Sequence, residues 1–182
     1  MQNVQKLSRY VRAICKLFFI IIPLITCYAW LIGGTDYDFI SKADFVTFSI
    51  DTSPYTTQPL TYDTKIYLCI ITLLKDCIYL YALMILMHLF KNYERCEIFS
   101  LENVKYYQKL SYSVFYWILG ETLYNTLSAV ILTLNNGKGV HSISFEFDSS
   151  QITALVLGLV VLIISHVMKE GYLLSDENQL TI

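Results

Sequence analysis

The stretch IYLCIITLLKDCIYLYALMILMHLF, residues 66–90, decides the fold. As a helix rising about 1.5 Å per residue, it is long enough to cross a hydrocarbon core roughly 30 Å thick. It nevertheless carries Lys75 and Asp76 in mid-span. Three more apolar segments stand around it, Ala13 to Ile32, Tyr112 to Leu134 and Ile152 to Met168. The first two reach the ~20 residues that a spanning helix needs, and the last sits at the lower limit. Glu121 interrupts the Tyr112 segment. The bilayer is therefore the main solvent, and the charges inside it need partners or a function.

Composition agrees with this reading. The chain has 182 residues, 55% hydrophobic and 15% charged, with a mean hydropathy of +0.49. A soluble domain would carry about a quarter charged residues. Short connections leave no room for a separate enzyme domain, so a single membrane domain over residues 1–182 is expected. Lys6, Arg9, Arg12, Lys16, Lys91, Arg95, Lys105, Lys109 and Lys169 fall on one side of the spans, against Lys42, Lys65 and Lys138 on the other. The positive-inside bias places both termini and the middle loop in the cytoplasm. The outer loops are acidic, with Asp36, Asp38, Asp44, Asp51, Asp63, Glu146 and Asp148.

No cleavable signal peptide is expected, because the first apolar stretch is too long and no small-residue cleavage pattern follows it. The five cysteines (Cys15, Cys27, Cys69, Cys77 and Cys96) form no CxxC and none lies in an outer loop, which argues against a disulfide framework. Val4, Leu7, Val11, Ile14 and Phe18 recur at helical spacing, with Lys6, Arg9, Arg12 and Lys16 mostly off that stripe. This predicts a basic amphipathic helix against anionic headgroups, running into the first span. Pro23 within that span frees a carbonyl and predicts a bend, with Thr26 or a neighbouring helix covering the loss.

Both outer loops show period-two alternation, Val46-Phe48-Ile50 and Ile143-Phe145-Phe147. The pattern predicts two strands paired above the membrane. The expected fold class is thus all-α membrane, a four-transmembrane-helix bundle with a small two-stranded extracytoplasmic β-sheet. In the middle loop, Ser100 suits an N-cap and Glu102 a first helical turn, so the third helix should begin near Leu101.

Lys75 and Asp76 are sequence neighbours and point about 100° apart, so each needs its own partner. Glu121, Asn125 and Ser128 form a polar stripe on one helix face. By rise per residue the two sets lie at similar depths, roughly 13 to 20 Å from the inner edge. The expected pairs are Lys75 with Glu121, and Asp76 with Asn125 or a tyrosine hydroxyl. A polar clamp fixing helix register is the first reading of this cluster, and a site for an ion, proton or small polar ligand is the second. His88, His141 and His166 lack zinc-like spacing, so no metal and no cofactor is expected. No nucleophile elbow, HExxH or P-loop is present, and no enzymatic activity is expected.

Leu89-Phe90-Lys91-Asn92-Tyr93, followed by Glu97-Ile98-Phe99-Ser100-Leu101-Glu102-Asn103-Val104, resembles the middle-loop pattern of a bacterial domain-of-unknown-function family of four-helix membrane proteins (YoaS-like). In that pattern a glycine stands where this chain has Cys96 or Glu97. The tail Glu177-Asn178-Gln179-Leu180-Thr181-Ile182 is similar to the ending of the same family. Such genes often stand beside one for a small helix-turn-helix transcription regulator. The resemblance implies a non-enzymatic protein of the bacterial cytoplasmic membrane that senses or sequesters that regulator. Phe99, Asn103, Glu177, Asn178, Leu180 and Ile182 would be the contact residues. It implies no direct contact with nucleic acid and allows a homo-oligomer. Two other functions stay open on the residues alone. One is a small transporter or ion-coupled protein using the intramembrane charges. The other is an immunity-type protein whose acidic outer loops receive a membrane-active peptide.

Overall fold

The computed structural model describes residues 2–33, 35, 38–39, 59–135 and 149–180. They form four long helices: α1 (Gln2–Leu31), α2 (Tyr62–Glu94), α3 (Leu101–Asn135) and α4 (Ser149–Leu180). Among the described residues, three stretches are long and apolar enough to cross a membrane, Asn3–Leu31, Tyr62–Glu94 and Ser149–Leu174. Many of their large apolar side chains point outward, among them Leu7, Leu24, Leu74 and Ile163. Water would not tolerate so much exposed apolar surface, and lipid does. The chain is a transmembrane protein.

The expected four-transmembrane-helix bundle with a small sheet is corrected on two points. First, α3 has 35 residues but is not among the helices apolar enough to cross. The physical reason is its polar load, which includes Ser111, Ser113, Glu121, Thr122, Asn125, Thr126 and Ser128. Second, no strand occurs among the described residues. The alternating stretches 46–50 and 142–148 lie outside the described residues. Alternation is only a side-chain pattern. A strand also needs a partner edge, helices offer none, and two strands alone are marginal in water.

The chain divides into two compact units. The first comprises Met1–Ile20, Ile78–Leu119 and Phe147–Ile182, and the second Ile21–Cys77 and Gly120–Glu146. In the first unit, α2 and α3 run antiparallel, with Tyr93 meeting Tyr107 (2.7 Å between hydroxyls) and the Tyr79 ring tilted against Trp117 at 6.1 Å between ring centres. The α4 helix runs antiparallel to α3. The Ser111 hydroxyl donates to the Gly158 carbonyl (2.8 Å) and the Ser165 hydroxyl to the Val104 carbonyl (3.2 Å). A Cβ on Gly158 would sit 3.3 Å from Val114, so the missing side chain lets these backbones approach. In the second unit, Trp30, Leu68, Cys69 and Leu132 form the apolar core. There α1 and α2 run antiparallel, tied by the Trp30 indole donating to the Thr72 hydroxyl (2.9 Å). Pro23 stays inside an unbroken α1.

The basic end of α1 packs through its less apolar face. Ser8 and Cys15 are buried, while Val4, Leu7, Ile14 and Phe18 are exposed. Gln5 Nε2 donates to the Glu94 carbonyl (3.1 Å), and Arg12 pairs with the Glu94 carboxylate (3.1 Å). The amphipathic stripe predicted from sequence thus faces outward, as it should on a lipid-facing helix.

The end of α2 explains the missing glycine. The Glu97 N–H reaches back to the Asn92 carbonyl and the Cys96 N–H to the Tyr93 carbonyl. This is a Schellman closure, and it puts Cys96 in the left-handed region at φ 62°. Glycine takes that conformation without a Cβ penalty. Replacing Cys96 by Gly should raise stability by about 0.5–1 kcal/mol, since the Cys96 Sγ it removes is only a weak acceptor for Gln5. The β-branched Cys96→Val should lower it. Thermal unfolding in detergent reads both.

Candidate functional site

Two polar clusters stand out, one in each unit. In the second unit, adjacent residues on α2 serve different helices. Lys75 Nζ lies 3.3 Å from Glu121 Oε2 on α3, and 4.1 Å from the centre of the Tyr124 ring. Asp76 points to α1 instead, where the Thr26 hydroxyl donates to its Oδ2 at 2.5 Å. The two side chains of the ion pair are only 17% and 23% exposed. Asp76 is buried, and Asn125 is exposed on α3. The 100° step between neighbouring helical residues produces this split. An isolated charge at the bilayer centre costs about 2.5–3.5 kcal/mol on insertion scales. Lys75 is compensated twice, by a carboxylate and by an aromatic face.

The second cluster, in the first unit, closes the α2–α3 turn. Asn92 Nδ2 donates both to Asn103 Oδ1 (2.9 Å) and to Glu102 Oε2 (3.0 Å). Asn103 Nδ2 donates to the Glu97 carbonyl (2.5 Å) and the Ile98 carbonyl (2.9 Å). Ser100 Oγ accepts the Asn103 N–H (3.2 Å), capping α3. Asn103 is fully buried, so its amide organises the turn from inside. Phe99 is the outward residue, 57% exposed, and its ring stands 3.1 Å from where a Cβ on Gly171 would be. Here the quoted loop phrase acquires a physical meaning. Asn92, Ser100, Glu102 and Asn103 build the turn, and Phe99 is what the turn displays.

Glu102 gives the turn a pH dependence. Hydrogen bonds from the Tyr106 hydroxyl (2.8 Å) and from Asn92 hold its carboxyl below the ordinary value. Burial, then the Glu102 bond, pushes the Tyr106 hydroxyl up.

The remaining sequence candidates are dispersed. His88 bonds the Met84 carbonyl and stacks near Tyr106, at 5.8 Å between ring centres. His166 is exposed on α4, and His141 lies outside the described residues. Among the described residues, no three of His, Cys, Asp and Glu come together as a metal set. Glu177, Asn178 and Leu180 belong to the last turns of α4, but their side chains lie outside the described set, as does Ile182. Thr26, Thr72, Tyr124, Gln5 and the Arg12–Glu94 pair were not legible as site residues. A threonine or tyrosine in a span carries no signal of which neighbour it meets. Glu94, an acid among basic residues, was the one available hint.

Two outcomes follow from the clusters. Lys75→Met alone should cost about 1–3 kcal/mol, and more than Lys75→Met combined with Glu121→Gln, because a lone buried carboxylate is worse than none. Double-mutant thermal unfolding checks this, and additive effects would contradict the pairing. For Glu102 the folded pKa is depressed, so its stabilisation is present above the unfolded value and lost as pH falls through the folded one. Melting temperature should drop as pH falls from about 5 to about 3, and Glu102→Gln should flatten that slope.

No curated protein and no solved structure matches the chain. A family model described as "Protein of unknown function (DUF2975)" matches residues 52–182, which include α2, α3, α4 and both members of the Lys75–Glu121 pair. With well over half of its length matched, the chain belongs to the DUF2975 family.

Proposed function

We propose that this chain is a non-enzymatic protein of the bacterial cytoplasmic membrane that holds a small helix-turn-helix transcription regulator at its cytoplasmic end. The observation that carries the reading is Phe99, an aromatic ring 57% exposed on a turn fixed by buried asparagines. Preorganised aromatic anchors of this kind dominate the energetics of protein interfaces. Exposed Arg95 and Glu97 flank it and supply a polar rim. The loop and tail resemblance to YoaS-like proteins supports the choice of a regulator as partner.

The first turns of α1, the α2–α3 turn and the Gly171 region of α4 lie at one end of the first unit. Most of the basic residues gather there, which supports a cytoplasmic placement of that end. Ser53→Cys should then be labelled by an impermeant maleimide in intact cells. Labelling only after permeabilisation would reverse the orientation.

A second reading, a small ion-coupled protein, is favoured by one observation. Asp76 is buried with a hydroxyl partner, and no cation pairs with it among the described residues. Intramembrane carboxylates of this kind mark ion and proton paths. Two variants separate the readings. Phe99→Ala should weaken capture of a co-encoded helix-turn-helix protein in detergent pull-down by about tenfold or more, with helical content unchanged. Asp76→Asn should leave capture intact. Full capture by Phe99→Ala would overturn the regulator reading.

A further inference from the structure

Between α2 and α3 in the first unit lies an open groove of about 220 Å³. It is lined by Tyr81, Met84, Ile85 and His88 from α2 and by Tyr106 and Lys109 from α3. Its chemistry changes along its length. His88 stands two residues before the end of the apolar run 66–90, where hydrocarbon meets headgroups. Met84 and Tyr81 lie one and two turns deeper. Lys109 is exposed, and among the described residues no carboxylate pairs with it. His88 Nδ1 bonds the Met84 carbonyl (2.8 Å), which can only accept. That nitrogen therefore carries the hydrogen, and Nε2 is the acceptor of the neutral ring. The Tyr106 hydroxyl donates to Glu102 Oε1 (2.8 Å), so an exposed carboxylate stands just beyond the Tyr106 rim. Each Glu102 oxygen takes one hydrogen bond, from Tyr106 or from Asn92, and has a lone pair to spare. Arg95 and His88 act on Glu102 only through space. Glu102 is two turns nearer the start of α3 than Lys109, and helical side chains lean toward that end. The groove thus orders an apolar floor, then a cation, then an anion.

We propose that this groove seats a phospholipid whose headgroup ends in a primary ammonium, a phosphatidylethanolamine, with its phosphate on Lys109 and its ammonium on Glu102. The order of charges matches, because in such a lipid the phosphate lies next to the acylated glycerol and the ammonium lies outermost. Tyr81, Met84 and Ile85 receive the first segment of an acyl chain. A primary ammonium has N–H donors for both Glu102 and His88 Nε2. A choline headgroup has no N–H to give. A glycerol headgroup brings the phosphate but no cation for Glu102. Basic sites between helices on the cytoplasmic side recognise anionic headgroups. Here the neighbouring carboxylate selects a zwitterion instead. The site goes beyond the regulator reading and does not use Phe99.

Native mass spectrometry of the full-length chain in detergent tests the proposal. Separate arms contain dioleoylphosphatidylethanolamine, its N,N-dimethyl form, dioleoylphosphatidylcholine and dioleoylphosphatidylglycerol. A saturable ethanolamine-lipid adduct is expected, retained about two- to fivefold better than the choline lipid, with the dimethyl form between them. Lys109→Met removes the phosphate contact that all these lipids share and should weaken every adduct by a similar factor. Glu102→Gln should erase the preference for ethanolamine over choline and leave the choline adduct unchanged. Circular dichroism reports that each variant is folded, and the methylation series reads the headgroup on the parent chain without any substitution. Equal retention of the ethanolamine and choline lipids by the parent overturns the proposal. So does stronger retention of the glycerol lipid, which marks a site for anionic lipid instead. A preference that survives Glu102→Gln, or adducts unchanged by Lys109→Met, overturns it as well.

Discussion

Lipid removes the force that holds most proteins together. Between helices already surrounded by hydrocarbon, burying leucine gains little, so adhesion falls to close packing and to polar side chains. This chain is built accordingly. Its interior includes Ser8, Asp76, Asn92, Asn103, Ser111 and Ser165, while Leu7, Leu24, Leu74 and Ile163 face out. Each interhelical polar contact is worth only about 0.6–2 kcal/mol. Their number and placement, rather than any one bond, fix which helix meets which. Hydroxyl-to-carbonyl bonds at Ser111 and Ser165 do this for α3 and α4 without introducing a charge.

The same constraint separates structural polar groups from available ones. Lys75 is matched by Glu121 and Tyr124, and Asn103 by four hydrogen bonds. Groups so fully engaged set register and leave nothing for a ligand. What stays open is different in kind. Phe99 is an apolar ring turned outward from a polar turn, and the Trp117 N–H is a donor without an acceptor. Each departs from the rule that most of the interior obeys, as do the buried Ser128 hydroxyl and the Gln151 carbonyl, which have no hydrogen-bond partner. Departures of this kind are expected at functional sites, where local consistency gives way.

Much of this was legible in the residues. The apolar run 66–90 specified a spanning helix, and Ser100 with Glu102 marked the start of α3 to the residue. Equal depth along antiparallel helices was enough to bring Lys75 to Glu121, because rise per residue is fixed. The partner of Asp76 was not legible. Depth alone cannot choose between neighbours on two sides, and the choice of Thr26 depends on the azimuth of α1. The predicted sheet has no counterpart among the described residues: alternation records which side chains share a face, not whether a second edge exists. The glycine of the resembled loop phrase is absent from this chain. Instead, Cys96 adopts the glycine conformation and the Schellman bonds close around it.

Hydrogen bonds that join α2 to α3 at the turn link residues only 11 and 14 positions apart. Those that bring α1 to α2 and α4 to α3 span 42 to 89 positions. Closing a short loop costs less entropy than closing a long one. The hairpin is therefore the unit that can assemble as soon as it is made. At about 5–20 residues per second, some 3–12 s of translation separate Val104 from Ser165. For that interval the lower α2–α3 hairpin waits in the membrane as a template. Ser111 holds an unused hydroxyl, and the Val104 carbonyl waits for the helix still on the ribosome.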